Sequence, residues 1–110
     1  MIIDTLLEHN QVCKRVSDFF EAKGATIYQE VPLSRGRGAV DVAVAEEKLR
    51  IKYIEVKSHP ASLNQRGIQK QLGRYEQEFP NQDYFLAFPL GDSEIALCDY
   101  KTNQRVIILA

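Results

Sequence analysis

Cysteine, proline and glycine are all scarce in this chain, and each shortage excludes a class of protein. The 110 residues include 2 Cys, 4 Pro and 6 Gly. Cys13 and Cys98 are too few and too far apart for a disulfide scaffold or a zinc knuckle, and both lie among apolar residues. We therefore expect two buried free thiols, with a disulfide as the less favoured alternative. The low Pro and Gly content argues against collagen-like and low-complexity chains.

Long apolar runs are also missing. The longest runs, such as Val106 to Ala110, fall far short of the roughly 20 residues that span a bilayer. The acidic Asp4 follows directly after the first three residues, and this stretch has no basic segment like the one at the start of a secretory leader. With 45% hydrophobic and 26% charged residues, we expect one globular cytoplasmic domain over residues 1–110.

Net charge is small, but it is unevenly distributed. The formal charge is -1 for the whole chain, whereas the stretch from Arg35 to Arg74 holds 9 basic residues against 4 acidic ones. A basic centre in an acidic frame suits a site that handles an anion. The alternative is that these charges simply occupy solvated faces of helices and strands.

Hydrophobic periodicity predicts two helices and six strands. Steps of three and four residues mark the helices, and alternation or β-branched runs mark the strands. Asp4 and Gly24 are the expected N-cap and end of the first helix, and Ser62 or Asn64 the N-cap of the second. The predicted elements are a helix Asp4–Lys23, strands Ala25–Val31, Ala39–Ala45 and Leu49–Ser58, a helix ending before Pro80, and strands Asp83–Leu90, Glu94–Tyr100 and Arg105–Ala110. This order predicts an α/β fold with a mixed β-sheet flanked by helices.

Two neighbouring strands carry charged residues in unusual positions. In Ala39–Ala45, strict alternation places Val40, Val42 and Val44 on one face and leaves Asp41 among alanines on the other. In Leu49–Ser58, Glu55 and Lys57 share a face with Leu49, Ile51 and Tyr53. The charged pair therefore continues a face that is otherwise apolar.

These charged residues suit a magnesium site. If the two strands form a hairpin, the carboxylates of Asp41 and Glu55 come close together and repel each other unless a cation separates them. Mg²⁺ prefers hard oxygen ligands and is commonly held by one or two carboxylates, to which the carbonyl of Val56 could add a third ligand. Lys57 would then activate or orient a metal-bound water. We expect Mg²⁺ as cofactor, with Mn²⁺ as a substitute.

Asp41, Glu55 and Lys57 resemble the signature of the PD-(D/E)xK nucleases, the restriction-endonuclease-like superfamily. Gln71 and Tyr75 resemble the QxxxY motif of its RecB-like branch. The resemblance covers roughly the first four-fifths of the chain. It implies a core of order α-β-β-β-α-β, followed here by a C-terminal hairpin, and hydrolysis of DNA phosphodiester bonds, with catalytic or positioning roles for these five residues.

Many members of the family also carry a glutamate near the metal, and the sequence leaves three candidates open. Glu8 and Glu21 belong to the predicted first helix, and Glu30 lies near the end of the first strand. Their spacing does not choose among them. His9 and His59 are interpreted as a helix residue and a turn residue, and neither is chosen as general base.

Five basic residues are candidates for contact with nucleic acid. Arg66, Lys70 and Arg74 recur at steps of four on the predicted second helix, and Arg35 and Arg37 lie in a glycine-bearing loop before Asp41. Such residues give affinity for phosphates without reading sequence. A solvated helix face explains the three helical residues equally well.

The sequence thus predicts a Mg²⁺-dependent nuclease that acts on DNA and recognises structure or relies on a partner for specificity. We expect either a homodimer or a protein partner, and the apolar segment Arg105–Ala110 is a candidate edge for pairing. The alternative is a catalytically inactive nuclease-fold subunit that binds nucleic acid or scaffolds a recombination or excision complex. A small-molecule or tRNA-handling enzyme on the same fold is a third interpretation.

Overall fold

The computed structural model describes residues 7–36, 38–46, 50–58, 65–91 and 93–109. Within these ranges, two α-helices, six strands and a short 3-10 turn follow one another, and the helices and strands have the predicted order. They are α1 (His9–Glu21), β1 (Thr26–Pro32), a short 3-10 turn (Ser34–Gly36), β2 (Ala39–Ala45), β3 (Ile51–Val56), α2 (Gln65–Glu78), β4 (Asp83–Pro89), β5 (Glu94–Asp99) and β6 (Arg105–Leu109).

All six strands form one sheet in the order β1-β2-β3-β4-β5-β6. Neighbouring strands are antiparallel except β3 and β4, which are parallel. A parallel pair needs a long crossover connection, and α2 lies in that connection. The predicted α/β fold with a mixed sheet and two helices is confirmed.

The helices cover opposite faces of the sheet. Val12, Val16 and Phe20 of α1 pack in a buried cluster with Ile54 and Val56 of β3. Leu72 and Tyr75 of α2 pack in a second cluster with Tyr53, the residue of β3 before Ile54. Because successive strand residues point to opposite faces, the two clusters form two layers of core with the sheet between them.

The first helix begins later than predicted. Glu8 is the N-cap, and its backbone N–H donates to Oε1 of Gln11 at 2.8 Å, which satisfies one of the donors left free at a helix start. The predicted N-cap Asp4 lies outside the described residues. At the other end, Gly24 adopts a φ of 91°, a left-handed conformation that glycine reaches without strain and that ends the helix.

The predicted alternation of β2 is wrong at one end. Val42 and Val44 pack on the α1 side of the sheet, whereas Val40 packs on the α2 side, in the same cluster as Ala43. The change of face occurs at Asp41. The neighbouring residue on β1 is Glu30, which lies between the paired residues Gln29 and Val31 and has a left-handed φ of 52°. The register of β1 with β2 is interrupted at Glu30, and β2 changes the face that it presents as it passes Asp41.

Other boundaries move by one or two residues. β3 ends at Val56, although the N–H of Lys57 still donates to the carbonyl of Ala87 at 2.9 Å. Leu49, Ser62 and Asn64 lie outside the described residues. Cys13 is buried as expected, but Cys98 is only half-buried, and both are free thiols. No helix in the described ranges has the length and apolar character needed to cross a membrane.

Candidate active site

The site lies where β2 and β3 separate. The two strands pair from Ala45 and Ile51 up to Val42 and Ile54, and the ladder stops there. Beyond it, the backbone N–H of Val56 donates to Oδ2 of Asp41 at 2.8 Å. The Asp41 side chain therefore takes the place of a backbone acceptor, and this bond holds its carboxylate against the end of β3.

Glu55 is the buried acid of the site, with a side chain that is 8% exposed. Its Oε1 accepts a hydrogen bond from the hydroxyl of Tyr75, and its Oε2 lies 3.2 Å from Nζ of Lys57. Burial raises the pKa of Glu55, and the charge of Asp41 raises it further, while the Tyr75 hydrogen bond and Lys57 act in the opposite direction. Each oxygen of this buried carboxylate thus has a polar partner.

Tyr75 and Gln71 support Glu55 from α2. The Tyr75 side chain is fully buried, and its hydroxyl also lies 3.4 Å from the carbonyl oxygen of Ala39. Gln71, one turn earlier, is hydrogen-bonded to Tyr75. Burial, followed by the charge of Glu55, raises the pKa of Tyr75 well above its usual value. The phenol therefore stays protonated and keeps its proton available to Glu55.

The interior around these acids is electrically negative. Burial raises the pKa of the Cys13 thiol to about 12, and the charges of Asp41, Glu55 and Glu30 add to this increase. Two carboxylates therefore act on the same part of the core, and Lys57 is the ammonium that contacts one of them. A cation placed between the acids would relieve their mutual repulsion.

His9 is the residue of this site that sequence reasoning missed. Its Nε2 lies 3.4 Å from Oδ1 of Asp41, and its Nδ1 lies 3.8 Å from the sulfur of Cys13. His9 and Cys13 are four residues apart, which identifies a shared helix face. Nothing local in the sequence shows that this face packs beside Asp41, because that contact depends on how α1 packs on the sheet.

A cleft of about 290 Å³ opens beside His9 and Asp41. Glu30 lines it, so this glutamate is the one of the three candidates that the structure brings to the side of Asp41. Glu8 is exposed at the start of α1. Glu21 is the last residue of α1, about 18 Å along the helix axis from His9. The side of the sheet that holds α1 is therefore open to solvent next to Asp41.

The basic candidates in the described ranges form no ion pairs with other described residues. Arg66 and Lys70 are exposed on α2, and Arg74 is half-buried one turn further on. Arg35 is exposed in the 3-10 turn between β1 and β2. Arg37 lies outside the described residues. The three α2 residues, spaced by four, share a helix face, as predicted from the sequence.

The oxygen atoms at the strand ends are of the chemical kind that magnesium prefers. No three His, Cys, Asp or Glu side chains in the described parts of the chain form a metal-binding group by themselves. An ion held by Asp41, Glu55 and the Val56 carbonyl would have three protein oxygens and would complete its coordination with water or substrate oxygens. Mg²⁺ commonly binds in this way, with few protein ligands and several waters.

Comparisons with protein-family models, with curated proteins and with solved structures give no match. The features that point to a function are the geometry of Asp41, Glu55, Lys57, Gln71 and Tyr75 and the resemblance of these residues to the nuclease signature.

Proposed function

We propose that this protein is a Mg²⁺-dependent nuclease of the PD-(D/E)xK type that hydrolyses DNA phosphodiester bonds. The observation that carries the proposal is the position of Asp41 and of the Glu55–Lys57 ion pair at the point where β2 and β3 separate. Burying a glutamate beside a lysine and a tyrosine carries an unfavourable free energy of desolvation. Apolar residues would fill the same space without this penalty, so a purely structural role does not explain the arrangement.

Each residue has a distinct part in this proposal. Asp41, Glu55 and the Val56 carbonyl would hold Mg²⁺, which when bound supplies a Lewis acid for the phosphate and lowers the pKa of water. Lys57 is 29% exposed and therefore reaches solvent, where its ammonium can orient a water and stabilise negative charge on the phosphate. Tyr75 and Gln71 keep the Glu55 carboxylate in one orientation.

The DNA backbone would lie along the exposed basic residues. Arg66 and Lys70 on α2 and Arg35 between β1 and β2 offer exposed positive charge, and Arg74 on α2 is half-buried. Contacts of this kind weaken DNA binding as the salt concentration rises. For each phosphate neutralised, a tenfold increase in salt lowers the affinity roughly tenfold. They give no sequence preference, which agrees with a nuclease that recognises DNA structure or takes its specificity from a partner.

Cleavage assays test the proposal directly. Single strands, flaps and four-way junctions are incubated with the protein and Mg²⁺, Mn²⁺ or EDTA. We expect cleavage with either metal and none with EDTA. Asp41→Ala and Lys57→Ala should each lower the cleavage rate by about 10²- to 10³-fold, since the first removes a proposed metal ligand and the second removes the ammonium that stabilises charge on the phosphate.

Lys52→Ala is the matched control. Lys52 lies on the same strand, β3, but it pairs with Glu46 at the opposite end, so its loss should leave the rate unchanged. Full activity in Lys57→Ala would contradict the role given to Lys57. Absence of cleavage on every substrate, with DNA binding retained, would select the inactive-subunit alternative.

A further inference from the structure

The two edges of the sheet have different chemistry. β6 forms one edge, and it exposes Val106 and Ile107 to 50% and 42%, while the next residue, Ile108, is buried. An edge strand also presents a row of unpaired backbone N–H and C=O groups to solvent. The β6 edge therefore combines free backbone hydrogen-bonding groups with two adjacent aliphatic side chains.

The opposite edge, β1, has features that oppose pairing. Glu30 is left-handed and interrupts the extended backbone, and Pro32 has no N–H to donate. The exposed residues of β1 include the polar Gln29. Bends, prolines and charges are the means by which natural sheets protect an edge. In β6, Arg105 is the single charged residue and no proline is present.

We propose that β6 pairs antiparallel with β6 of a second copy of this chain, around a two-fold axis at Ile107. Two identical strands in antiparallel arrangement are self-complementary, so one surface is sufficient for both partners. Ile107 is the central residue of β6, so this register uses the whole strand and places Arg105 opposite Leu109 of the second copy. The two sheets of six strands then form one sheet of twelve.

Charge complementarity supports this register. Leu109 pairs with Glu94 of β5 within the chain. Glu94, Leu109 and Arg105 of the second copy would therefore lie side by side on three neighbouring strands. Two strand spacings separate Glu94 from this Arg105, which gives about 9.6 Å between their Cα atoms. Directly opposed residues point to the same face, and an arginine and a glutamate together can span this distance. Neither residue has an ion pair with another described residue of its own chain, and symmetry gives two such contacts.

The size of the surface predicts a weak dimer. A strand of 5 residues with two exposed aliphatic side chains buries much less than the roughly 1,600 Å² of a stable interface. We therefore expect a dissociation constant of about 10 µM or weaker. The ionic contacts should also make dimerisation weaker at high salt, since exposed charges are screened.

The dimer bears on the proposed nuclease function, and this step depends on that function. Across the sheet, Val56 of β3 is aligned with Ala87, Leu97 and finally Val106 of β6. Val106 is one residue from the proposed two-fold axis at Ile107. The two copies of β3 would be seven strand spacings apart, about 34 Å if the twist of the sheet is neglected. This matches about one turn of B-form DNA, so the two sites could act on one DNA molecule about one turn apart.

Sedimentation velocity tests the dimer without nucleic acid or metal, so its outcome is independent of cleavage. From about 5 to about 500 µM protein, we expect the mean mass to rise from monomer towards dimer. Ile107→Lys should weaken association at least tenfold, because it places two like charges at the axis. Tyr28→Lys is the matched control, since it adds the same charge at an exposed aromatic residue of the β1 edge, and it should leave association unchanged.

A charge exchange tests the register itself. Arg105→Glu and Glu94→Arg should each weaken the dimer about tenfold by opposing like charges, and the double variant should restore it. Circular dichroism confirms that each variant is folded. A monomer at every concentration, a dimer that is insensitive to Ile107→Lys, or a double variant as weak as the single ones would overturn the proposal.

Discussion

Removal of the Tyr75 hydroxyl tests the central contact of the site. In Tyr75→Phe, the aromatic ring still fills its place in the core, but Oε1 of Glu55 loses a donor. We expect the free energy of unfolding to fall by about 2 kcal/mol, since a hydrogen bond to a charged group contributes roughly 1.5–3 kcal/mol.

The geometry sets this magnitude between two limits. Glu55 is 6% exposed and Tyr75 is fully buried, so water cannot readily replace the lost donor. Lys57 still contacts Oε2 at 3.2 Å, so the carboxylate is not left without a partner. The loss should therefore be smaller than the roughly 3–5 kcal/mol seen when a buried ion pair loses one member.

Urea unfolding in a buffer with EDTA measures the effect without bound metal. Tyr53→Phe is the control, because Tyr53 is buried in the same cluster and its hydroxyl makes no hydrogen bond to another described residue. This variant should change the free energy of unfolding by less than about 0.5 kcal/mol. A double-mutant cycle with Glu55→Gln should give a coupling of about 1 kcal/mol or more. Additive effects, or equal losses in Tyr75→Phe and Tyr53→Phe, would refute the reasoning.

Three further predictions concern other parts of the fold. In folded protein at pH 8, a thiol reagent should modify the half-buried Cys98 and spare Cys13, which is buried and has a pKa of about 12, while denatured protein should react at both. The Arg50 hydrogen bond lowers the pKa of Asp83, so this pair stabilises the protein above the unfolded carboxyl pKa and loses its effect as the pH falls through the lower folded value. Asp83→Asn should therefore lower the free energy of unfolding by at most about 1 kcal/mol at pH 7, with the difference absent near pH 2. Glu30→Gly should raise the free energy of unfolding by about 0.5 kcal/mol, because glycine adopts a φ of 52° without strain, and a decrease would contradict that account.

Local periodicity was sufficient for much of the fold. The alternation of Tyr53, Glu55 and their neighbours identified β3 and the face that Glu55 occupies. Steps of three and four residues before Pro80 identified α2, and the structure buries Leu72 and Tyr75 on one side of it. Both patterns could be read from the chain because the side-chain directions of a regular strand or helix repeat every 2 or 3.6 residues.

Irregular positions could not be found in this way. Strict alternation predicts the wrong face for Val40 because it assumes a regular strand, whereas β2 changes face at Asp41, beside the left-handed Glu30 of β1. The sequence does not identify His9, because a histidine on an amphipathic helix carries no local sign of its partner. Glu30 could not be separated from Glu8 and Glu21 until β1 was placed beside β2.

The sequence by itself determined the order and type of the helices and strands, and that Glu55 and Lys57 lie together at the end of β3. Only the tertiary structure decided that Asp41 binds the N–H of Val56, that Tyr75 donates to Glu55, and that His9 reaches Asp41. The physical reason is that backbone periodicity acts over a few residues, whereas these contacts join groups 15, 20 and 32 positions apart, which only the packing of two helices on one sheet brings together.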